Sequence, residues 1–390
     1  MKRFLFMALL MVPASPLLAE DPDAADARMA GEAAKTCLRI IEANYADCVT
    51  QSQALEKAVS ALTAKPSAVR LEAARQAWIF ARRVYAPSEA YRFCGGPIDA
   101  EGGPEELLNA WPIDEAVIDR VPGSTVVSII EDAKTYPVLD AKTLTALNMK
   151  DGEKNITCGW HAVEFLLWGQ DTSATGPGNR PWTDFATARN ADRRRQFLTV
   201  ATAGITQHLQ PLLDAWKPGV KENYRAQREA VDADDALRTV VRGMVTLSGF
   251  ELASERIRVP CETRMQEEEH SCFSDTTVFD LQGNIQGMVN LWQGKYRRAD
   301  GTMVEGFSLR ELTATRDADL AGEITKLLDE ITAMAARLPA RFDQAILEPP
   351  TGPGQQKLRA LSAKLDLLSR TLKRFAERMG RPYTAAELEG

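Results

Sequence analysis

Apolar residues recur along this chain in steps of three and four. Leu361, Leu365, Leu368, Leu372, Phe375 and Met379 form one such stripe, closed by Gly380 and Pro382, and predict a long helix. Leu320, Ile324, Leu327, Ile331 and Leu338 repeat the pattern one helix earlier, up to Pro339. Near the N-terminus Cys48, Leu55, Val59 and Leu62 make another stripe, and Pro66-Ser67 then opens a helix that runs on through residues 70–93. Further helices fit residues 184–216 and 234–258. Strand-period alternation between turn pairs is scarce, so the expected fold is all-α, made of helical bundles.

Two stretches resist the helical period. FCGGPIDAEGGPEELLNAWPIDEAVID, residues 93–119, mixes glycine, proline, acidic and apolar residues over a length that no connector between neighbouring helices needs. Long ordered loops of this kind usually carry function. The second stretch, RMQEEEHSCFSDTT, residues 264–277, is densely polar. A third, GQDTSATGPGNRPWTDF, residues 169–185, clusters Gly, Pro, Ser and Thr between apolar helices and reads as a domain boundary. About 370 residues at roughly 100–200 per domain then divide into an N-terminal bundle, 20–180, and a C-terminal bundle, 181–390.

The first nineteen residues change the picture of where this chain works. Lys2 and Arg3 precede a short apolar run broken by Pro13 and Pro16, followed by Ala19 and an acidic stretch. This reads as a cleaved secretory signal, too short for a membrane span, with cleavage near Ala19 and export to the periplasm. No later stretch is long and apolar enough to span a membrane. The formal net charge of −7 becomes −9 once Lys2 and Arg3 are lost. An acidic surface without a basic tract argues against nucleic acid or anionic lipid as partners. Export also permits disulfides among the six cysteines. Cys261 and Cys272 lie close together in sequence, and Cys94 and Cys158 both border stretches of functional character, so these are the expected pairs. Cys37 and Cys48 would stand about 16 Å apart on one helix, beyond disulfide reach, and read as thiols unless that helix breaks.

Candidate chemistry centres on GWHAVE, residues 159–164. His161 and Glu164 stand at i and i+3, so on a helix their polar ends project from nearly the same face and can meet one ion. Imidazole with carboxylate suits iron, zinc or copper. The bland alternative is a core histidine satisfied by Glu164 or a carbonyl. Position 165 is Phe, which removes the second histidine of the thermolysin-type and inverted zinc-protease motifs.

GWHAVEFLLWGQD resembles the G-x-H-x-x-E segment, opened by Gly159, of the imelysin family of exported iron-regulated proteins, also classed as M75 peptidases. YAPSEAYRFCGGPID, GPEELLNAWPIDEAVID, GPGNRPWTDF, SGFELASERI and QEEEHSCFSDTT are similar to further family segments, in the family's order. The resemblance implies two helical bundles with a cleft between them and a role in iron or metal acquisition. It also implies a metal site completed by other carboxylates, as in the related H-x-x-E domain of periplasmic iron-uptake proteins. Glu89, Asp99 and Glu251 match those positions, with Arg92 as an orienting neighbour. Such a pocket would hold iron, or less selectively zinc or copper. Each residue has a plainer reading: Glu89 as a partner of Arg92, Asp99 as a turn carboxylate, and Glu251 as a partner of Arg256. The last would need another element, because five residues on lies off the same α-helical face.

Two departures from the family pattern stand out. Val278 replaces an expected histidine after SDTT, and Cys94 and Cys158 occupy positions where small or polar residues are common. His270, in EEEHSC, reads as part of a solvated acidic face, with a second metal site or a lid as the alternative. His208 reads as a surface or core histidine, and Trp111, Trp168 and Trp292 as packing residues. The expected function is metal binding for acquisition. The rivals are a metallopeptidase with Glu164 as general base, and a scaffold that docks on an inner- or outer-membrane transport component or a redox partner.

Overall fold

The computed structural model describes residues 21–173 and 175–388. The expected signal, residues 1–19, and its cleavage site lie outside them. Helix α1 (Pro22–Ala64) starts where Asp21 accepts the Asp23 amide and Pro22 fills the first turn. Ser67 caps α2 (Ala68–Tyr85) by accepting the Arg70 amide. Pro87 cannot supply an amide to continue it, and the chain tightens into a 3₁₀ turn, Ala86–Tyr91. The other long elements are α3 (Gly159–Trp168), α4 (Ala191–Trp216), α5 (Ala233–Thr246), α6 (Thr277–Gln293), α7 (Ala318–Ala335) and α8 (Pro353–Arg378). Shorter helices fill the connections. A single hairpin, β1 (Lys295–Arg297) with β2 (Met303–Glu305), is the strand content of the described residues. The fold is all-α, as the periodicity predicts. No helix among the described residues is long and apolar enough to cross a membrane.

Helix α1 is the spine, packed on α2, α4 and α5, while α8 packs on α5, α7 and the coil that follows α5. That coil, Leu247–Arg258, is a π-helix, in which the backbone hydrogen bond spans five residues instead of four. Buried apolar side chains from all eight long helices form one contiguous core. The 93–119 stretch is ordered. It holds two four-residue helices, Glu105–Leu108 and Glu115–Ile118, whose Leu108 and Ile118 are fully buried. Asp119 closes it by accepting from Arg194 of α4 at 2.6 and 3.0 Å and from Arg180 at 2.9 Å.

The expected disulfides Cys94–Cys158 and Cys261–Cys272 are not formed, and all six cysteines are free thiols. Cys94 is turned into α5, its sulfur seated against Gly243, where a Cβ would come within 2.8 Å. Cys158 ends the segment before α3, beside the Thr157 hydroxyl. Cys261 lies in the short helix Val259–Thr263, whose carbonyl at that residue is held by Gln355 of α8. Each sulfur is therefore committed to a different packing site, where burial raises the thiols, Cys158 and Cys261 to about 11. Cys37 and Cys48 are buried on the unbroken α1.

Candidate metal centre

Helix α3 carries the motif, and all ten of its residues are buried. Gly159 opens it with φ +81, and a Cβ there would lie 2.4 Å from the Leu108 carbonyl oxygen. Only glycine lets the helix start against the 93–119 stretch. His161 and Glu164 meet as their spacing predicts, Nδ1 to Oε2 at 2.9 Å. The other Glu164 oxygen accepts from the Ser274 amide at 2.9 Å and the Ser274 hydroxyl at 2.7 Å.

A second imidazole completes the arrangement. His270 is not on a solvated face; it is 2% exposed, and its ring lies 4.8 Å from that of His161. Its Nδ1 is bound to Asp280 of α6 at 2.9 Å, and the Ser271 hydroxyl donates to the same carboxylate oxygen at 2.6 Å. Each imidazole thus has a carboxylate behind its Nδ1, the arrangement that fixes ring orientation and leaves Nε2 for a ligand. Trp111 packs edge-on against His270.

Both Nε2 atoms face the guanidinium of Arg82 from α2. Arg82 Nη2 is 3.5 Å from His161 Nε2 and 3.3 Å from both ring nitrogens of His270, while its Nε pairs with Asp280 at 3.1 Å. Its remaining nitrogen donates to Asn109. Arg82 is always a donor, so His161 accepts from it through Nε2, and His270, whose Nδ1 is turned to Asp280, does so through its Nε2. Burial, then Arg82 and the neighbouring histidine, push His161 well below the ordinary range. Burial and the charges of Arg256 and Arg82 do the same to His270. Burial pushes Glu164 up to about 8 against the pull of Ser274.

The other carboxylates expected around His161 are held elsewhere. Glu89 receives Arg256 at 2.7 Å, Arg92 at 3.4 Å and Asn109 at 3.4 Å. Glu251 receives Arg256 at 2.8 Å and faces Arg92 at 3.6 Å. Arg92 also binds Glu105 at 3.1 Å. Burial works against the charge of Glu89, but Arg256 and Arg92 outweigh it and hold its carboxyl below the usual range. Asp99 closes a turn, accepting the Gly96 amide at 3.2 Å, and burial raises it. Asn109 joins the two regions, accepting from Arg82 and donating to Glu89.

Sequence reasoning missed His270 as a partner of His161, and with it Arg82, Asp280, Asn109 and Ser274. One signal was available for Arg82, a charge standing on the apolar stripe Leu71, Ala74, Trp78 and Tyr85 of α2. Nothing in the run EEEH distinguishes a buried end from an exposed one.

The family model for imelysin, the M75 peptidase class, matches residues 41–372. Iron-regulated protein A of Synechococcus elongatus is 28% identical over 272 residues, 67% of this chain and 63% of that protein. The chain thus spans less than two-thirds of the length of this curated relative. Two crystal structures share the fold. An iron-regulated protein A precursor from Parabacteroides distasonis gives a TM-score of 0.68 at 17% identity, covering 93% of this chain and 98% of that one. An imelysin-like protein from Psychrobacter arcticum gives 0.64 at 14% identity, covering 91% and 97%.

Proposed function

The chain belongs to the imelysin family, and from that premise we propose that it is a periplasmic metal-binding protein serving iron acquisition, with a transition ion held by His161 and His270. The observation that carries this reading is that both Nε2 atoms lie within 3.5 Å of one point, Arg82 Nη2. Two neutral imidazoles, each backed by a carboxylate, are donors that suit iron, zinc or copper. Glu164 and Asp280 orient the rings, and Ser274 and Ser271 orient the carboxylates. The guanidinium stands where a cation would be drawn, so Arg82 has to withdraw for an ion to enter. A bound ion would supply Lewis acidity and, if iron or copper, one-electron chemistry. The name of the cyanobacterial relative favours iron, and a transport component of the inner or outer membrane is the natural recipient.

Hydrolysis with Glu164 as general base finds less support. That carboxylate is fully buried, and both its oxygens are engaged by His161 and Ser274. Nothing frees it to accept a proton from water.

Elemental analysis of protein taken from its native compartment, with calorimetric titration of the metal-free form, tests the reading. We expect one transition ion per chain, lost in His161→Ala and His270→Ala, and about 10–100-fold weaker in Glu164→Gln, which disturbs only the orienting carboxylate. Equal transition-metal content in the wild type and both histidine variants would overturn it.

A further inference from the structure

The stretch 264–277 serves a second cluster besides the imidazoles. His270, Ser271 and Ser274 bind Asp280 and Glu164. Glu269 and Asp275 instead meet Asp343, on the short helix Phe342–Leu347, and ligand oxygens of the three lie within 4.8 Å of one another. Glu269 is 1% exposed, and neither of its carboxylate oxygens has a hydrogen-bond partner. The Thr277 hydroxyl lies near enough to ease its charge but makes no hydrogen bond of normal geometry. The charged groups Glu269 feels most are Asp343, Asp275 and Glu164, all of its own sign.

The local cation does not balance this cluster. Arg341 is spent on Asp343 through bonds of 2.9 and 2.6 Å and on Asp275 through an ion pair of 3.1 Å. Asp171 brings a further carboxylate towards Asp275. A buried carboxylate with both oxygens unmatched calls for a compensating group, either a proton or a cation.

We propose that Glu269, Asp275 and Asp343 form a site for a hard divalent cation of the calcium type, separate from the imidazole pair. All the ligand atoms are carboxylate oxygens, which excludes the soft-metal preference of thiolate and the borderline preference of imidazole. Calcium accepts several protein carboxylates at about 2.3–2.6 Å, so oxygens on opposite sides of it stand up to roughly 5 Å apart, which spans the observed spacing. Magnesium usually takes one or two carboxylates and keeps its waters. A cation here ties the 264–277 stretch to the helix Phe342–Leu347, and so holds the backbone that presents His270 and Ser274. The site does not depend on the imidazoles binding any metal.

The test is calorimetric titration of the chelator-treated full chain with calcium chloride, paired with thermal melting. We expect one calcium per chain and a raised melting temperature, both unchanged in His161→Ala. Glu269→Gln and Asp275→Asn, each of which keeps the side-chain shape, should each weaken binding at least about tenfold. Circular dichroism confirms that each variant is folded. A wild type that takes up no calcium at millimolar concentration, or a folded Glu269→Gln that binds it undiminished, overturns the proposal. A wild type silent to calcium while Glu269→Gln melts higher also overturns it, because the cluster is then held together by protons.

Discussion

Glu89 and Glu269 are equally buried, each 1% exposed, and their surroundings are opposite. Around Glu89 and Glu251 two guanidiniums, Arg256 and Arg92, lie within pairing distance. Around Glu269 the guanidinium of Arg341 is taken by the neighbouring Asp275 and Asp343. Arginine holds the Glu89 carboxyl down, whereas burial and neighbouring carboxylates push Glu269 far up. The lesson is that a buried carboxylate is fixed in an ion-pair network or left with its oxygens unmatched according to how many guanidiniums reach it. Its place in a motif does not decide the matter.

Arg256→Met breaks the balanced side of this comparison. It strands Glu89 and Glu251 as unpaired buried charges and should cost about 3–5 kcal/mol, read from urea unfolding. Glu269→Gln should be neutral or stabilising without added cation in the same assay. A similar loss in both would erase the distinction.

A pH series sharpens it. Glu164, raised to about 8, and Glu105 and Asp275, each raised to about 7, hold protons in the folded state that they release above about 4.5 when unfolded. The folded chain then binds more protons than the unfolded one. Their contribution is complete at acid pH and falls as pH rises through the folded values. Below about pH 6.5 His161 and His270, held neutral in the fold, oppose this by taking up protons on unfolding, so melting of metal-free protein between pH 6.5 and 8 should show stability falling, by up to about 1.4 kcal/mol per pH unit for Glu164 alone. A flat profile would mean these carboxyls are not shifted.

The smallest effect is expected from Ser274→Ala. It removes the hydroxyl donor but keeps the backbone amide on Glu164, and should cost about 1–2 kcal/mol. The variant should also move the steepest part of the pH profile upward, because a donor to the charged form is lost.

Much of the fold was legible in the sequence. The stripes at 320–338 and 361–379 became α7 and α8, and GWHAVE became a helix with its imidazole and carboxylate joined. What escaped was set by contacts that no local period encodes. Arg82 and Asp280 come from helices nearly two hundred positions apart, and His270 is buried because Trp111 and α3 cover it. The disulfide expectation failed because neither closeness in sequence, for Cys261 and Cys272, nor a place beside a stretch of functional character, for Cys94 and Cys158, brought the two sulfurs to one packing site. The pairing of Glu251 with Arg256 looked off-face because an α-helical period was assumed. Residues five apart come into register on a π-helix, and Arg256 reaches Glu251 directly.

That wide coil also decides the direction in which a guanidinium leaves the backbone. Had residues 247–258 kept the ordinary four-residue step with the same sequence, Arg256 would stand about 140° round the axis from Glu251, turned from an acid it now neutralises. The balance of charge around the two buried acids is thus a property of backbone winding as much as of residue identity, and a change that tightened the winding would unsettle it with every charged side chain still in place.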